Sequence, residues 1–220
     1  TIGSYAVSAN TNGNNGAALS FALQNTAPGL SIDDVTRSEG TGGSTTFTFT
    51  VSLSAPAGAG GVSFDIATAN GTASSGSDYV AGSLTGQSIA AGNSSRTFVV
   101  TVNGDTTFEA NETFFVNVTS VTGAVVTDGQ GLGTINNDDV APTLTINAPS
   151  VTEGNAGPTP LNFIVSLSEP SGLPVNFNFA TGTGTAAAGT DYVAIGSTAG
   201  TIAPGGIGAS VNVTINGDAT

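Results

Sequence analysis

The chain has 220 residues, with 15 acidic residues against 2 basic ones, no Lys, no His and a formal net charge of −13. That balance repels nucleic acid and anionic membrane surfaces, which need a basic patch. The absence of Cys excludes disulfides, thiolate nucleophiles and Cys-based zinc sites, and the absence of Lys excludes Lys–Asn isopeptide crosslinks.

Gly stands at 32 positions, Thr, Ser, Asn and Val abound, and Trp and Met are missing, a composition suited to strands joined by polar turns. There is no run of apolar residues long enough to span a membrane as a helix. The opening Thr1-Ile2-Gly3 carries neither an initiator Met nor a basic signal region, and on that basis the chain is expected to be a processed or excised piece of a longer product.

In chain order, the N-terminus reads as a hairpin: Ser4-Tyr5-Ala6-Val7-Ser8, a turn at Thr11-Asn12-Gly13-Asn14-Asn15-Gly16, then Ala18-Leu19-Ser20-Phe21-Ala22-Leu23. Residues 46–53 alternate Phe47, Phe49, Val51 and Leu53 with hydroxyl residues, the period of a half-buried strand. Further strands are predicted at 62–67, 96–102, 113–119 and 131–136, then at 161–167, 175–180 and 209–215. Asn70-Gly71, Asn103-Gly104 and Asn216-Gly217 are expected to supply positive φ at tight turns, and Pro56, Pro170 and Pro204 to interrupt pairing. About seven short strands per ~100 residues, with no helical periodicity, describe an immunoglobulin-like sandwich.

One pattern is written twice. Ser38-Glu39-Gly40, Gly76-Ser77-Asp78-Tyr79 and Asn103-Gly104-Asp105 return as Thr152-Glu153-Gly154, Gly189-Thr190-Asp191-Tyr192 and Asn216-Gly217-Asp218. The offset is 114 residues at Glu39 and 113 at Asp78 and Asp105, a typical single-domain size. The acids keep their spacing while the sequence between them drifts, which suggests a cation site before catalysis. The division predicted is a hairpin at 1–27, a complete module at 28–140 and an incomplete module at 141–220, where the counterpart of 108–139 with its two strands is missing. Ala27-Pro28 aligns with Ala141-Pro142, so residues 1–26 fall where a module keeps its closing strands. Three explanations stay open: the hairpin completes the second module of a preceding copy, head to tail; it completes the second module of its own chain; or the boundaries are arbitrary cuts in a longer covalent array.

The ordered set Glu39-Gly40, Gly71-Thr72-Ala73 through Asp78-Tyr79, Asn103-Gly104-Asp105, Phe108-Glu109-Ala110-Asn111-Glu112-Thr113-Phe114-Phe115-Val116 and Gly131-Leu132-Gly133-Thr134-Ile135-Asn136-Asn137-Asp138-Asp139 resembles the Calx-β domain family. That family is known from sodium–calcium exchangers, integrin β4 and tandem arrays in large bacterial surface and secreted proteins. The resemblance implies a seven-stranded sandwich with Ca²⁺ at one end. It puts the ligating carboxylates on Glu39, Asp78, Asp105, Glu109, Glu112, Asp138 and Asp139, with a poorer set of Glu153, Asp191 and Asp218 in the second module. Several carboxylates converging from different loops are tolerable together only if a cation neutralises them. The plainer alternative is solvated loop acids, and for Asp78 a capped turn that binds nothing. Asn137 stands where family members often carry another acid. Asp33, Asp34, Asp65 and Asp128 do not repeat and read as surface acids, and Tyr79 and Tyr192 as packing residues.

No His or Cys, phosphate-binding loop or nucleophile elbow is present, so no enzyme is expected. Sequons at Asn70, Asn93, Asn111, Asn117 and Asn212 read as chance in so Asn- and Thr-rich a chain. The expected protein is an extracellular, bacterial-surface, structural or adhesive filament of tandem Calx-β modules with Ca²⁺ stiffening the junction at Val140, assembled by strand complementation or continued in a longer array. The alternative is a calcium-sensing regulatory module of a larger membrane or secreted protein.

Overall fold

A computed structural model describes residues 6–7, 21–22 and 26–219, with side chains from 26 to 219. Its strands are β1 (Ala6–Val7), β2 (Phe21–Ala22), β3 (Gly29–Ile32), β4 (Val35–Ser38), β5 (Gly43–Leu53), β6 (Val62–Asn70), β7 (Ser83–Ile89) and β8 (Ser95–Gly104). They continue with β9 (Glu112–Thr122), β10 (Val125–Val126), β11 (Gln130–Asn136), β12 (Leu144–Ile146), β13 (Gly157–Leu167), β14 (Val175–Phe179), β15 (Thr198–Ile202) and β16 (Gly208–Gly217). Among the described residues there is no helix, hence none long and apolar enough to cross a membrane. The fold is all-β, built as tandem sandwiches.

The chain divides into two compact units, one of Thr1–Thr36, Thr46–Thr101 and Thr113–Thr134, the other of Arg37–Thr45, Val102–Glu112 and Ile135–Thr220. Strands β3 to β11 form sheets in the orders β10-β3-β5-β8 and β4-β11-β9-β6-β7. The alternation of β5 buries Phe47, Phe49 and Val51 between them. At the centre of the first unit, Phe114 of β9 lies 5.7 Å from the Phe47 ring, 5.9 Å from Phe49 and 4.7 Å, stacked, from Tyr79. A side chain at Gly133 would overlap that Phe114 ring, so β11 is bare there to make room. Four aromatic rings buried against one another add packing energy beyond their buried area alone.

In the second unit the strands of the second module form sheets β12-β13-β16 and β14-β15. Val165, Leu167, Ile202 and Val211 make a small core with Phe163, Val175, Phe177 and Phe179 packed on it. Counterparts of β9 and β11 are absent from the described residues of this module, and its inner face is correspondingly open. Leu144 and Ile146 are 43% and 57% exposed, whereas Leu30 and Ile32 at the same places in the first module are 0% and 4%.

Ala6↔Ala22 and Val7↔Phe21 pair antiparallel, and this two-stranded sheet joins neither module's sheets among the described residues. The predicted turn at 11–16 and the outer parts of that hairpin lie outside the described residues.

The expectation for the Asn-Gly pairs was incorrect. Gly71, Gly104 and Gly217 do not adopt positive φ, which falls instead on Gly40, Gly76, Gly154 and Gly189, at φ between 85° and 103°. The three glycines are required by close backbone approach: a Cβ on Gly104 would lie 2.7 Å from the Glu39 carbonyl oxygen, and one on Gly217 would lie 2.8 Å from that of Glu153. Gly71 is likewise closed in by the backbone of Thr113.

Candidate metal centre

The loops at one end of the first module bring Asp105, Glu109, Asp138 and Asp139 near Glu39. β4 ends at Ser38, and Glu39 follows with its N–H donated to the Asn136 carbonyl at 3.3 Å and its own carbonyl accepting the Thr45 hydroxyl at 2.6 Å. Gly40, at φ 89°, turns the chain away. The bare Gly104 lets the end of β8 lie against this turn, which carries the next residue, Asp105, to the side of Glu39. Asp105 Oδ1 accepts the Thr107 N–H at 2.6 Å, closing the loop that leads to Glu109.

Asn137 ties the remaining loops together. Its Oδ1 accepts the Glu109 N–H at 3.0 Å, its N–H donates to Asn111 Oδ1 at 3.0 Å, and its Nδ2 donates to the Asp139 carbonyl at 3.2 Å. An acid at 137 has no N–H₂ to donate, so this departure from the family pattern replaces a charge with a brace. Asp138 Oδ1 accepts the Gly40 N–H at 3.1 Å.

The electrostatics of this cluster are strained. Glu39 is only 7% exposed. Burial, then Asp105, Asp139, Glu109 and Asp138 in that order, push its carboxyl up to about 7. Asp139 is also raised, by burial and then by Asp138, Asp105 and Glu169. Its Oδ2 is shut off from water and has no hydrogen-bond partner, a condition that is unfavourable unless something satisfies it. Glu169 escaped the sequence reading because it has no counterpart in the first module, where Ala55 precedes the matching Pro.

The other predicted ligands are placed differently. Glu112 opens β9 and is not among the charges that raise Glu39. In the first unit, Asp78 closes its own turn: its carboxylate accepts the Ser74 N–H at 2.7 Å and its N–H donates to the Ser74 carbonyl at 3.1 Å. Tyr79 beside it is buried, with its hydroxyl 2.6 Å from Asn70 Oδ1.

The four non-repeating acids are backbone braces as well as surface charges. Asp34 accepts the Leu132 N–H at 2.7 Å, Asp65 that of Gly86 at 2.8 Å, Asp33 that of Thr50 at 2.5 Å and Asp128 that of Gln130 at 3.2 Å.

The family model of the Calx-beta domain matches residues 29–141 and again 137–220. The chain belongs to the Calx-beta domain family. Solved structures that match the chain include CBD12 from CALX1.2, 19% identical over 85% of this chain and 74% of that one at a TM-score of 0.45. The apo-form Calx CBD1 domain is 23% identical over 52% of this chain and 100% of its own, at 0.46. The calcium binding domain CBD12 of CALX1.1 is 19% identical over 84% and 76%, at 0.44. No curated protein matches the chain.

The second Calx-beta module repeats the scaffold of the cluster with fewer charges. The Glu153 carbonyl accepts the Thr159 hydroxyl at 3.0 Å, as Glu39 does from Thr45, and Gly217 packs on the Glu153 backbone ahead of an exposed Asp218. Asp191 accepts the Ala187 N–H at 2.6 Å, the same closed turn as Asp78.

Among the described residues, no three carboxylates of this Calx-beta chain converge closely enough to grip a metal ion as they stand. The donor set nevertheless fits a hard cation. Its candidate donor atoms are all oxygens, one of them buried without a partner, and a proton or cation added among them relieves mutual repulsion.

Proposed function

We propose that the chain is an extracellular structural or adhesive array of Calx-beta sandwiches, with Ca²⁺ bound at the loop end of the first module. Glu39, Asp105, Glu109, Asp138 and Asp139 would supply carboxylate oxygens, and the ion would supply the positive charge that lets all five ionise together. The observation that carries this reading is Glu39, whose carboxyl is pushed up to about 7 by its burial and then by four neighbouring acids. Membership in the Calx-beta family supports it. The protein's own contribution is to hold the loops: Gly104 seats Asp105 beside Glu39, and Asn137 braces the Glu109 and Asp139 backbones.

The structural role rests on the tandem repeat, the lack of Lys and His, and the low charge density, 8% of residues. Calorimetric titration of the chelator-treated chain with Ca²⁺ tests the ion site. Saturable binding that is lost in Glu39→Gln supports it, and no heat up to millimolar Ca²⁺ overturns it. Antibody labelling of intact source cells tests the location, and signal only after lysis overturns that part. A large change in shape at micromolar Ca²⁺, seen by X-ray scattering, would instead favour a regulatory module.

A further inference from the structure

One acid of the following repeat is held beside the acid cluster from both directions. On one side, Thr143, which follows Asp139 closely in the chain, is tied to Ser168 twice: its N–H donates to the Ser168 hydroxyl at 3.0 Å and its carbonyl accepts the Ser168 N–H at 2.9 Å. On the other side, the Phe108 carbonyl accepts the Gly172 N–H at 3.0 Å, and Gly172 is bare where the Glu109 carboxylate lies, since a Cβ there would stand 2.7 Å from Glu109 Oε1. Ser171 is buried, and its carbonyl accepts the Gly205 N–H at 2.8 Å, which fixes this loop to the second module. Glu169 therefore sits on a short span pinned next to both Asp139 and Glu109. It is exposed, and no hydrogen bond holds its carboxylate among the described residues. Gly29 and Ser54 of the first module make the same reciprocal pair, but Ala55 stands where Glu169 does.

We propose that Glu169 is a ligand of the ion bound by the first module's acids, so that the following repeat completes the site. This rests on the calcium reading above. Two observations point the cluster at a cation: the Glu39 side chain is 7% exposed with no hydrogen bond to its carboxylate among the described residues, and Asp139 Oδ2 is enclosed without a partner. Carboxylate oxygens so placed are stabilised by a positive charge brought to them. The first module's own donor set is short of a member. Asn137 stands where an acid is common in the family, and its side chain is committed to the Glu109 N–H and the Asp139 carbonyl. Glu169 supplies the missing carboxylate from the other direction, and its charge already acts on Asp139. With no hydrogen bond to break, its side chain can turn inward when a hard cation, which gathers about six to eight oxygens, is bound. An ion held by Asp139 and Glu169 together fastens one repeat to the next.

The test compares the full chain with its Glu169→Gln variant. Because the side chain is exposed and makes no hydrogen bond, the variant should unfold in chelator at a temperature no lower than the wild type. Calorimetric titration with Ca²⁺ should show an affinity about tenfold or more below the wild type, as the loss of an anionic oxygen ligand requires. Tb³⁺, which takes the same oxygen ligands, then separates a ligand from a distant charge. Its luminescence decay in H₂O and D₂O should report about one more coordinated water in the variant, filling the position that Glu169 leaves. Unchanged affinity overturns the proposal, and so does a lower affinity with the same water count, which would make Glu169 a charge outside the coordination sphere. In both of those results the wild type still binds Ca²⁺ and the first-module site stands. A wild type that takes up no Ca²⁺ overturns that site and this inference with it.

Discussion

Gly104 lies directly against the backbone of Glu39, so close that a Cβ would stand 2.7 Å from the Glu39 carbonyl oxygen. Gly104→Ala should therefore wedge the end of β8 away from the 38–40 turn. A destabilisation of about 1–3 kcal/mol in urea unfolding is expected, the usual range for overpacking, together with weaker Ca²⁺ binding as Asp105 is displaced. Unaltered stability would show that the turn yields without cost.

Stability should depend on pH without Ca²⁺ and lose that dependence with it. The Glu39 carboxyl keeps its proton up to about 7 in the folded chain and only to 4.5 ordinarily. Between those values the folded state binds more protons than the unfolded one, so in chelator stability should fall as pH rises from about 4.5 to 7. With Ca²⁺ saturating, Glu39 is ionised both in the bound folded state and, above about 4.5, in the unfolded chain, so the fall over that window should disappear. Glu39→Gln should flatten the chelator slope and raise the melting temperature there. Melting curves at a series of pH values decide the matter, and an unchanged slope in that variant would assign the effect elsewhere.

Asp78 and Asp105 recur with the same spacing and sit in different surroundings. The Asp78 carboxylate is engaged within its turn by the Ser74 N–H, whereas Asp105 is one of the charges acting on Glu39. Asp105→Asn should lower Ca²⁺ affinity by about tenfold or more, since an anionic hard-oxygen ligand is lost. Asp78→Asn should change it far less and cost mainly turn stability. Parallel titrations would show equal losses if both residues ligate.

Phe114→Ala should be among the most damaging single changes in the first module. The ring is fully buried against Phe47, Phe49 and Tyr79, and Gly133 has no side chain to fill the hole. A loss of about 3–5 kcal/mol is expected from equilibrium unfolding. A loss under about 1 kcal/mol would mean that the cage collapses around the gap.

The sequence was most legible where one face of a strand is fully buried. Phe47, Phe49, Val51 and Leu53 announced β5 by alternation, and 161–167 announced the matching part of β13. β7 escaped because only Ile89 of Ser83–Ile89 is buried, and β4 and β15 give equally little alternation. The repeated Asn-Gly pairs were visible, but their cause was not: a glycine that admits a neighbouring carbonyl looks the same in sequence as one that takes positive φ. In the cluster, Glu39 and Asp105 were marked by repetition and spacing, whereas Glu109, Asp138 and Asp139 were suggested only by the resemblance to the Calx-β pattern. Glu169 could not, since its proximity to Asp139 arises only when distant loops meet.

The Phe108 carbonyl accepts the Gly172 N–H at 3.0 Å, with the Ser171 hydroxyl at 3.4 Å, and a Cβ on Gly172 would strike the Glu109 side chain at 2.7 Å. The loop bearing Asp105 and Glu109 is thus buttressed by residues that the repeat assigns to the following module. Dissection at the repeat boundary would leave every proposed first-module acid in the fragment and still remove the wall behind two of them. An isolated first repeat is therefore a poor proxy for the array, and fragments meant to report on the intact ion site should extend past Gly172.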